Sequence, residues 1–355
     1  MTVRVKILTE KYKKELPQRN LPKGSRLESI RQLAEHLKCA PGTAAKVIKN
    51  LTEEKLIVST VGKGNFFLPQ NKRRIRIGYA GPTPSPLMDP LLNDAAGGIL
   101  DFLESAEEAE TVIIQHRSLR NPRELHDIDG LLLVYSLVDP QTLETLHSLE
   151  IPTVLIGADG ICESLLCSQV IPDFSTAMHQ FVQQCDLDSY SRIVILQANH
   201  QNSQDTASQI GNFLQIAGTK VPVTFETLTA KGSSMAMLCS YDYMASLDKE
   251  KCKNDLFITI SGYIARGMYQ YGVKNSFLPD ILSIDNLEGH GDMTDDTAFF
   301  TAVDRSMTRC FTEGAKLLIS QLKYSDDCRT ILKVPTELII RKSINFSKHH
   351  KEKQL

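Results

Sequence analysis

Two short stripes of apolar residues with helical spacing open the pattern. Ile30, Leu33, Ala34 and Leu37 fall at i, i+3, i+4 and i+7, one face of an amphipathic helix. Ser29 stands just before this stripe with Gln32 three residues on, the arrangement in which each side chain satisfies a backbone N–H left free by the first turn. A second stripe follows within a few residues, carried by Ala44, Val47, Ile48 and Leu51, with Pro41 placed for a first helical turn. Two short helices joined by a tight turn predict a helix-turn-helix. The next stretch, Leu56 to Leu68, is rich in β-formers and is broken at Gly62-Lys63-Gly64, which predicts a hairpin with a basic tip. A hairpin packed beside a helix-turn-helix makes a winged domain, whose second helix can lie in the major groove while the wing meets the DNA backbone or minor groove.

From residue 75 the pattern alternates continuous apolar runs with helical stretches. The runs are Ile75–Ala80, Thr111–Ile114, Leu131–Val134, Thr153–Ile156, Ile193–Leu196, Leu256–Ile260 and Ile281–Ile284. Helical patterns cover Ala95–Ala109, Thr176–Cys185, Asp205–Ala217 and Ser306–Tyr324. Strands apolar on both faces and separated by helices predict parallel sheets covered on both sides, and about nine such units predict two lobes rather than one sheet. The organisation expected is a winged helix-turn-helix (α+β) domain over 1–70, a basic linker over 71–76, a two-lobed α/β domain over 77–345 and a charged tail over 346–355.

Charge sharpens this division. The net charge is −2, but residues 1–76 hold 18 Lys+Arg against 6 Asp+Glu, leaving 22 against 36 in the remainder, so the two parts carry +12 and −14. A short segment so basic is built to meet a polyanion. At 42% apolar and 23% charged the composition is that of a folded globular protein. The N-terminus has no apolar stretch of the kind a secretion signal needs, and no run of about 18 apolar residues occurs, so a cytoplasmic location is expected. The eight cysteines are scattered with no CxxC pair, which argues against a disulfide framework and a zinc site.

The segments Leu21-Pro-Lys-Gly-Ser-Arg-Leu27, Ser29-Ile-Arg-Gln-Leu-Ala34 and Gly62-Lys-Gly-Asn-Phe66 resemble, in order and spacing, the DNA-binding domain of the gluconate-repressor (GntR) family. The resemblance implies DNA contact by Arg26 and by Arg31 at phosphate, by the start of the second helix at bases, and by the wing through Lys63 and Gly64. On that helix Gly42, Thr43, Lys46, Lys49 and Asn50 lie off the apolar stripe and form the candidate groove-facing set. The family's Ser-Arg pair and its further Arg are replaced here by Ala40, Pro41 and Ala45. Arginine makes many of the bidentate base contacts, so an altered or weaker sequence preference is expected.

Asp129-Gly-Leu-Leu-Leu-Val134, Ile151-Pro-Thr-Val-Leu-Ile156, Leu278-Pro-Asp-Ile-Leu-Ser-Ile-Asp285 and Val334-Pro-Thr-Glu-Leu-Ile-Ile-Arg-Lys-Ser343 resemble the periplasmic-binding-protein-like effector domain of the lactose-repressor (LacI) family. Such a head on such a body resembles the arabinose-repressor type of regulator, which implies a homodimer on operator DNA, with a sugar bound between the lobes. The stretch 118–127 leaves little room for the helix that family has there. In open parallel sheets ligands sit beyond the carboxyl ends of strands. That rule nominates Tyr79, Asp173, Ser261 and Asp285 with the loop 82–89, and the resemblance favours Asp285 and Asp173. Two departures weaken the sugar expectation. Ser208 replaces an Arg before Gly211, and Ser261-Gly262 replaces Asn-Asp, at about 1–3 kcal/mol for each lost charged hydrogen bond. Arg305, where the family often has Gln, points either toward an acidic ligand such as a uronate or to a plain surface role.

No GxSxG, HExxH or GxxxxGK[ST] pattern occurs, and Gly97-Gly98 lies within a helical stretch, so neither an enzyme nor a cofactor is expected. His349 and His350 sit in a charged tail. The reading is a DNA-binding transcription regulator, a repressor responsive to a small molecule. Its rival is a ligand-independent dimeric DNA-binding protein with a degenerate effector pocket.

Overall fold

The computed structural model describes all residues except 1–2, 20, 22–23, 55, 61–62, 68–73, 149–150, 291–297, 325–327 and 348–355. The chain divides into two compact units, Met1–Arg74 and Ile75–Leu355. Residues 71–73 of the expected linker lie outside the described residues. Ile75 and Arg76 are not linker but the start of a strand, because their backbones pair with a neighbouring strand at Ala109 and Glu110.

The smaller unit runs α1 (Val3–Gln18), α2 (Ile30–His36), α3 (Pro41–Glu53), β1 (Ile57–Thr60) and β2 (Gly64–Phe67). Leu33, Ala34 and Leu37 of the first stripe and Ala44, Val47, Ile48 and Leu51 of the second are buried together. The Ser29/Gln32 capping box is formed. Ile30, expected in the first stripe, is 40% exposed. It is the first residue of a two-turn helix, and Leu27, just upstream of the cap, is buried in this core instead. The N-terminal helix α1 was not expected. It adds Val5, Tyr12 and Leu16 to the same core, at intervals of seven and four residues. Tyr12 donates to Glu28 Oε2, and Arg19 donates to Glu28 Oε1 at 2.7 Å. Burial opposes the Glu28 charge, but these two donors outweigh it and hold the carboxyl down to about 2. The strands β1 and β2 pair antiparallel from Ile57↔Phe67 to Thr60↔Gly64; Gly62, at the expected tip, lies outside the described residues.

The larger unit contains two six-stranded sheets. The first lobe uses β3 (Ile75–Ala80), β4 (Ala109–Ile113), β5 (Gly130–Val134), β6 (Thr153–Ile156), β7 (Ser168–Asp173) and β13 (Ile331–Pro335), in the order β13-β7-β6-β5-β3-β4, all parallel. The second uses β8 (Arg192–Ala198), β9 (Val223–Leu228), β10 (Asp255–Thr259), β11 (Asp280–Ile284), β12 (Thr301–Asp304) and β14 (Glu337–Ile339), in the order β14-β12-β11-β10-β8-β9, with only the edge strand β14 antiparallel. Leu132 and Val134 of β5 enter one core and Leu131 and Leu133 the core on the opposite face. A strand buried on both faces has no polar side to show, which is why its sequence reads as an unbroken apolar run.

Helices α4 (Pro90–Ser105) and α10 (Met307–Tyr324) cover one face of the first sheet, and α5 (Pro140–Ser148) lies on the other. Two 3-10 turns, His116–Arg120 and Pro122–Leu125, stand where room for a helix was short, and they bury Leu119 and Leu125. On the second sheet, α6 (Phe174–Gln184) and α7 (Gln201–Ile216) cover one face, with α8 (Ser233–Ser246) and α9 (Gly262–Asn275) on the other. Helix α4 begins earlier than its apolar pattern, because Asp89 caps it and Pro90 opens it. Phe346, placed by the sequence in a charged tail, packs edge-on against Phe181 and belongs to the second core. The tail from residue 348, with His349 and His350, lies outside the described residues.

The chain passes between the lobes three times: from β7 into α6, from β12 into α10, and from β13 into β14. Two of these crossings are tied together, since Thr336 donates through both N and Oγ1 to the carbonyl of Asp173, at 3.3 and 2.8 Å.

Candidate functional site

A cleft of about 460 Å3 opens at the carboxyl ends of both sheets. Its walls follow the strands in turn: Val134 at the end of β5 with Tyr135 and Ser136 beyond it, Asp159 after β6, His200 after β8, Ser261 after β10, Asp285 after β11 and Arg305 after β12. This is where parallel sheets gather ligand-binding groups, because each strand delivers a loop there. Asp89, at the start of α4, completes one side, and Phe311 of α10 adds a second aromatic residue.

Arg305 is the centre of the site. Only 11% of its side chain is exposed. Its NH1 donates to Asp159 Oδ2 at 2.5 Å and its NH2 to the carbonyl of Ile260 at 3.0 Å. Its Nε lies 2.7 Å from Asp285 Oδ1, but off the N–H direction, so this contact is an ion pair without an aligned hydrogen bond. Its guanidinium sits 6.0 Å over the ring of Phe174. Burial opposes the guanidinium charge, but Asp159 and Asp285 outweigh it and hold its pKa above the ordinary value. Asp285 is the strained partner, with φ at 151°, a region L residues rarely adopt. Burial pushes its carboxyl up to about 7; Arg305 pulls it down, while Asp159 and Asp89 add like-charge repulsion.

Asp159 extends from the first lobe but is held by the second. Thr206 Oγ1 donates to its carboxylate at 2.8 Å, Gln209 Nε2 donates to its carbonyl at 2.6 Å, and its own N–H donates to Asn202 Oδ1 at 2.8 Å. Together with Arg305, on one of the crossings, these contacts latch the lobes. His200 Nδ1 accepts from Ser203 N at 3.3 Å and so caps α7; burial first, then Arg305, lowers its pKa, which favours the neutral ring.

Of the residues nominated from sequence, Asp285, Ser261, Arg305 and the loop residue Asp89 meet in this cleft. Ser261 also caps α9, accepting from Tyr263 N at 3.3 Å. Tyr79 and Asp173 do not line it. Tyr79 is fully buried and donates to the carbonyl of Pro82. Asp173 caps α6 through Ser175 N, and its carbonyl ties two of the crossings, so its place is the hinge and not the cleft wall. The arginine in the cleft is already matched by two carboxylates, which disfavours the acidic ligand that a free arginine suggested. Sequence reasoning missed Asp159 and His200. Asp159 stands three residues beyond a recognised apolar run and was open to the same strand-end rule.

In the smaller unit, Gly42, Lys46 and Lys49 are exposed along α3 and Thr43 is half-buried. Lys49 stands 3.9 Å from Glu53, which shares its charge locally. Asn50 is half-buried and donates to Thr9 Oγ1 of α1 at 3.1 Å, so it serves the packing of α3 on α1 rather than the exposed face. Arg31 is exposed on α2 and Lys63 beside the hairpin. Arg26 is exposed and bridges β2 at Phe66, with its guanidinium beside Gly64. Gly64 has φ of 110°, and a Cβ there would lie 3.2 Å from Arg26 Nε, so glycine gives both the turn and room for the cation. No group of three His, Cys, Asp or Glu among the described residues is placed to hold a metal ion, and no described helix is long and apolar enough to cross a membrane.

No protein-family model matches the sequence, and no curated protein matches it. Solved structures do resemble it in fold. A LacI family transcriptional regulator from Enterococcus faecium with bound ribose superposes with a TM-score of 0.57 at 13% identity, over 76% of this chain and 98% of that one. The transcription regulator CcpA of Lactococcus lactis gives 0.59 at 14% identity, over 77% and 100%. The lac repressor dimer, bound to operator and the anti-inducer ONPF, gives 0.59 at 12% identity, over 77% and 95%. The larger unit thus has the two-lobed fold seen in LacI-type transcription regulators.

Proposed function

We propose that this chain is a cytoplasmic, non-enzymatic transcription regulator. Its smaller unit is a winged helix-turn-helix of GntR type that binds duplex DNA, and its larger unit binds a sugar or related polyol between the lobes. The observation that carries the effector reading is the cleft at the strand ends, where groups from both lobes converge on Arg305 at one of the three crossings. A ligand seated there touches both lobes, so its binding energy depends on their relative position, which is what coupling between sites requires. The solved neighbours support it, one holding ribose and another being a dimer on operator. A homodimer acting as a repressor suits a palindromic operator.

The test is selection of bound duplexes from a random pool by the full chain, followed by titration of the selected duplex with sugars. A several-fold change in DNA affinity with one sugar supports the reading. Tight DNA binding that no sugar alters favours instead a ligand-independent DNA-binding protein, a reading consistent with a latch that holds the lobes together through protein groups alone.

A further inference from the structure

The charges in the inter-lobe cleft do not balance. Asp89, Asp159 and Asp285 bring three carboxylates to its wall, and Arg305 is the one cation among the described residues that line it, since His200 is held toward its neutral form. Arg266 and Arg341, with Glu288, line a separate small pocket that also borders Asp285. Asp89 accepts from Leu92 N at the start of α4, where the helix dipole offsets its charge. Even with Asp89 set aside, two carboxylates face one guanidinium. The shortfall falls on Asp285: its Oδ1 is sealed from solvent and meets Arg305 Nε at 2.7 Å without an aligned hydrogen bond, with the backbone of Gly262 as a further partner of the carboxyl. Burial is the main cause that pushes its carboxyl up; Arg305 pulls it down, and Asp159 and Asp89 add smaller like-charge repulsion. Tyr135 and Phe311 add aromatic residues to the lining, of a type that accepts either a sugar face or a cation.

Resting on the reading of this cleft as an effector site, we infer that its ligand is an amine-bearing polyol, such as an amino sugar, whose ammonium group pairs with the excess carboxylate. The ammonium donates up to three hydrogen bonds, and the carboxylates it would meet at the cleft wall are half-buried Asp89 and the accessible part of Asp285, since Asp159 Oδ2 is already taken by Arg305 and Thr206. A carboxylate-bearing sugar meets the opposite field and is rejected.

The experiment is titration calorimetry of the full chain with four probe classes: 2-amino-2-deoxyhexoses, the parent hexoses, their N-acetyl derivatives and hexuronates. The expected result is tighter binding of an amino sugar than of its parent or N-acetyl form by about tenfold, the size of one charge-assisted hydrogen bond. Asp285→Asn and, as a second variant, Asp89→Asn are expected to shrink that preference, each checked for native circular dichroism. Equal affinity for amino and neutral sugars, or tightest binding of a uronate, overturns the inference and leaves the effector site standing. Binding by none of the four classes overturns both.

Discussion

Asp285 carries the most consequential single charge. Its carboxyl is pushed up to about 7 by burial, so between its ordinary range and that value the folded protein binds a proton that the unfolded chain does not. Stability contributed through this group is therefore greatest at low pH and is lost as pH rises toward 7. Asp285→Asn removes the titration. In urea denaturation the stability of the native protein relative to Asp285→Asn is expected to be higher at about pH 5 than at about pH 8, and the opposite order contradicts the assignment. On the proposed DNA face, Lys46 is exposed on α3 and, among the described residues, forms no ion pair of the kind Lys49 has with Glu53. Lys46→Ala should lower the magnitude of the salt slope of DNA binding by about 1, while a structural role leaves the slope unchanged. Asp285 and Ser261 were legible in the sequence because each follows an apolar run, whereas Arg305 was reached only through the resemblance, since the strand before it, β12, was not among the recognised runs. Asp173 was misplaced because its strand, β7, has Ser168, Gln169 and Pro172 within it and was not recognised, which hid its position at a crossing. Asn50 was misplaced because its partner, Thr9, lies on a helix that the apolar pattern did not reveal.

The elements recognised most easily were those buried on both faces. β6 was found with its bounds intact and the apolar run Ile75–Ala80 matches β3, although the expected linker took in its first two residues, whereas β9, half-exposed at the sheet edge, shows no apolar run and was missed. Helix α1 escaped because lysines crowd its exposed side and dilute its stripe of Val5, Tyr12 and Leu16. Helix α8 escaped for another reason. Its apolar residues are spread around the helix, with Ala236 and Met244 buried while Met235 and Leu238 are exposed. It is fixed by its neighbour: a Cβ on Gly267 of α9 would come within 2.0 Å of the Met237 carbonyl and 2.1 Å of Ser240 Oγ. Gly267→Ala must push the helices apart. The expected loss is about 3 kcal/mol, read from urea midpoints at unchanged m-value. A loss below about 0.5 kcal/mol, within the range of an ordinary surface change, contradicts the close crossing.

At the scale of the whole chain, composition alone suggested the division of labour: a basic head of +12 and an acidic body of −14. The two-lobed α/β fold of the body was legible because parallel strands announce themselves, and the solved regulators share it at low identity. What composition did not reveal is that the lobes are latched through Asp159 and Arg305, a contact between residues 146 positions apart. Pairings at that range depend on the finished fold and leave no local pattern. The most direct measurement of the central claim is the affinity of the full chain for duplex DNA as a function of salt. The account predicts binding that weakens steeply, with a log-log slope of about −0.9 for every phosphate neutralised and several phosphates engaged. Absence of binding in dilute salt, or an affinity indifferent to salt, contradicts it.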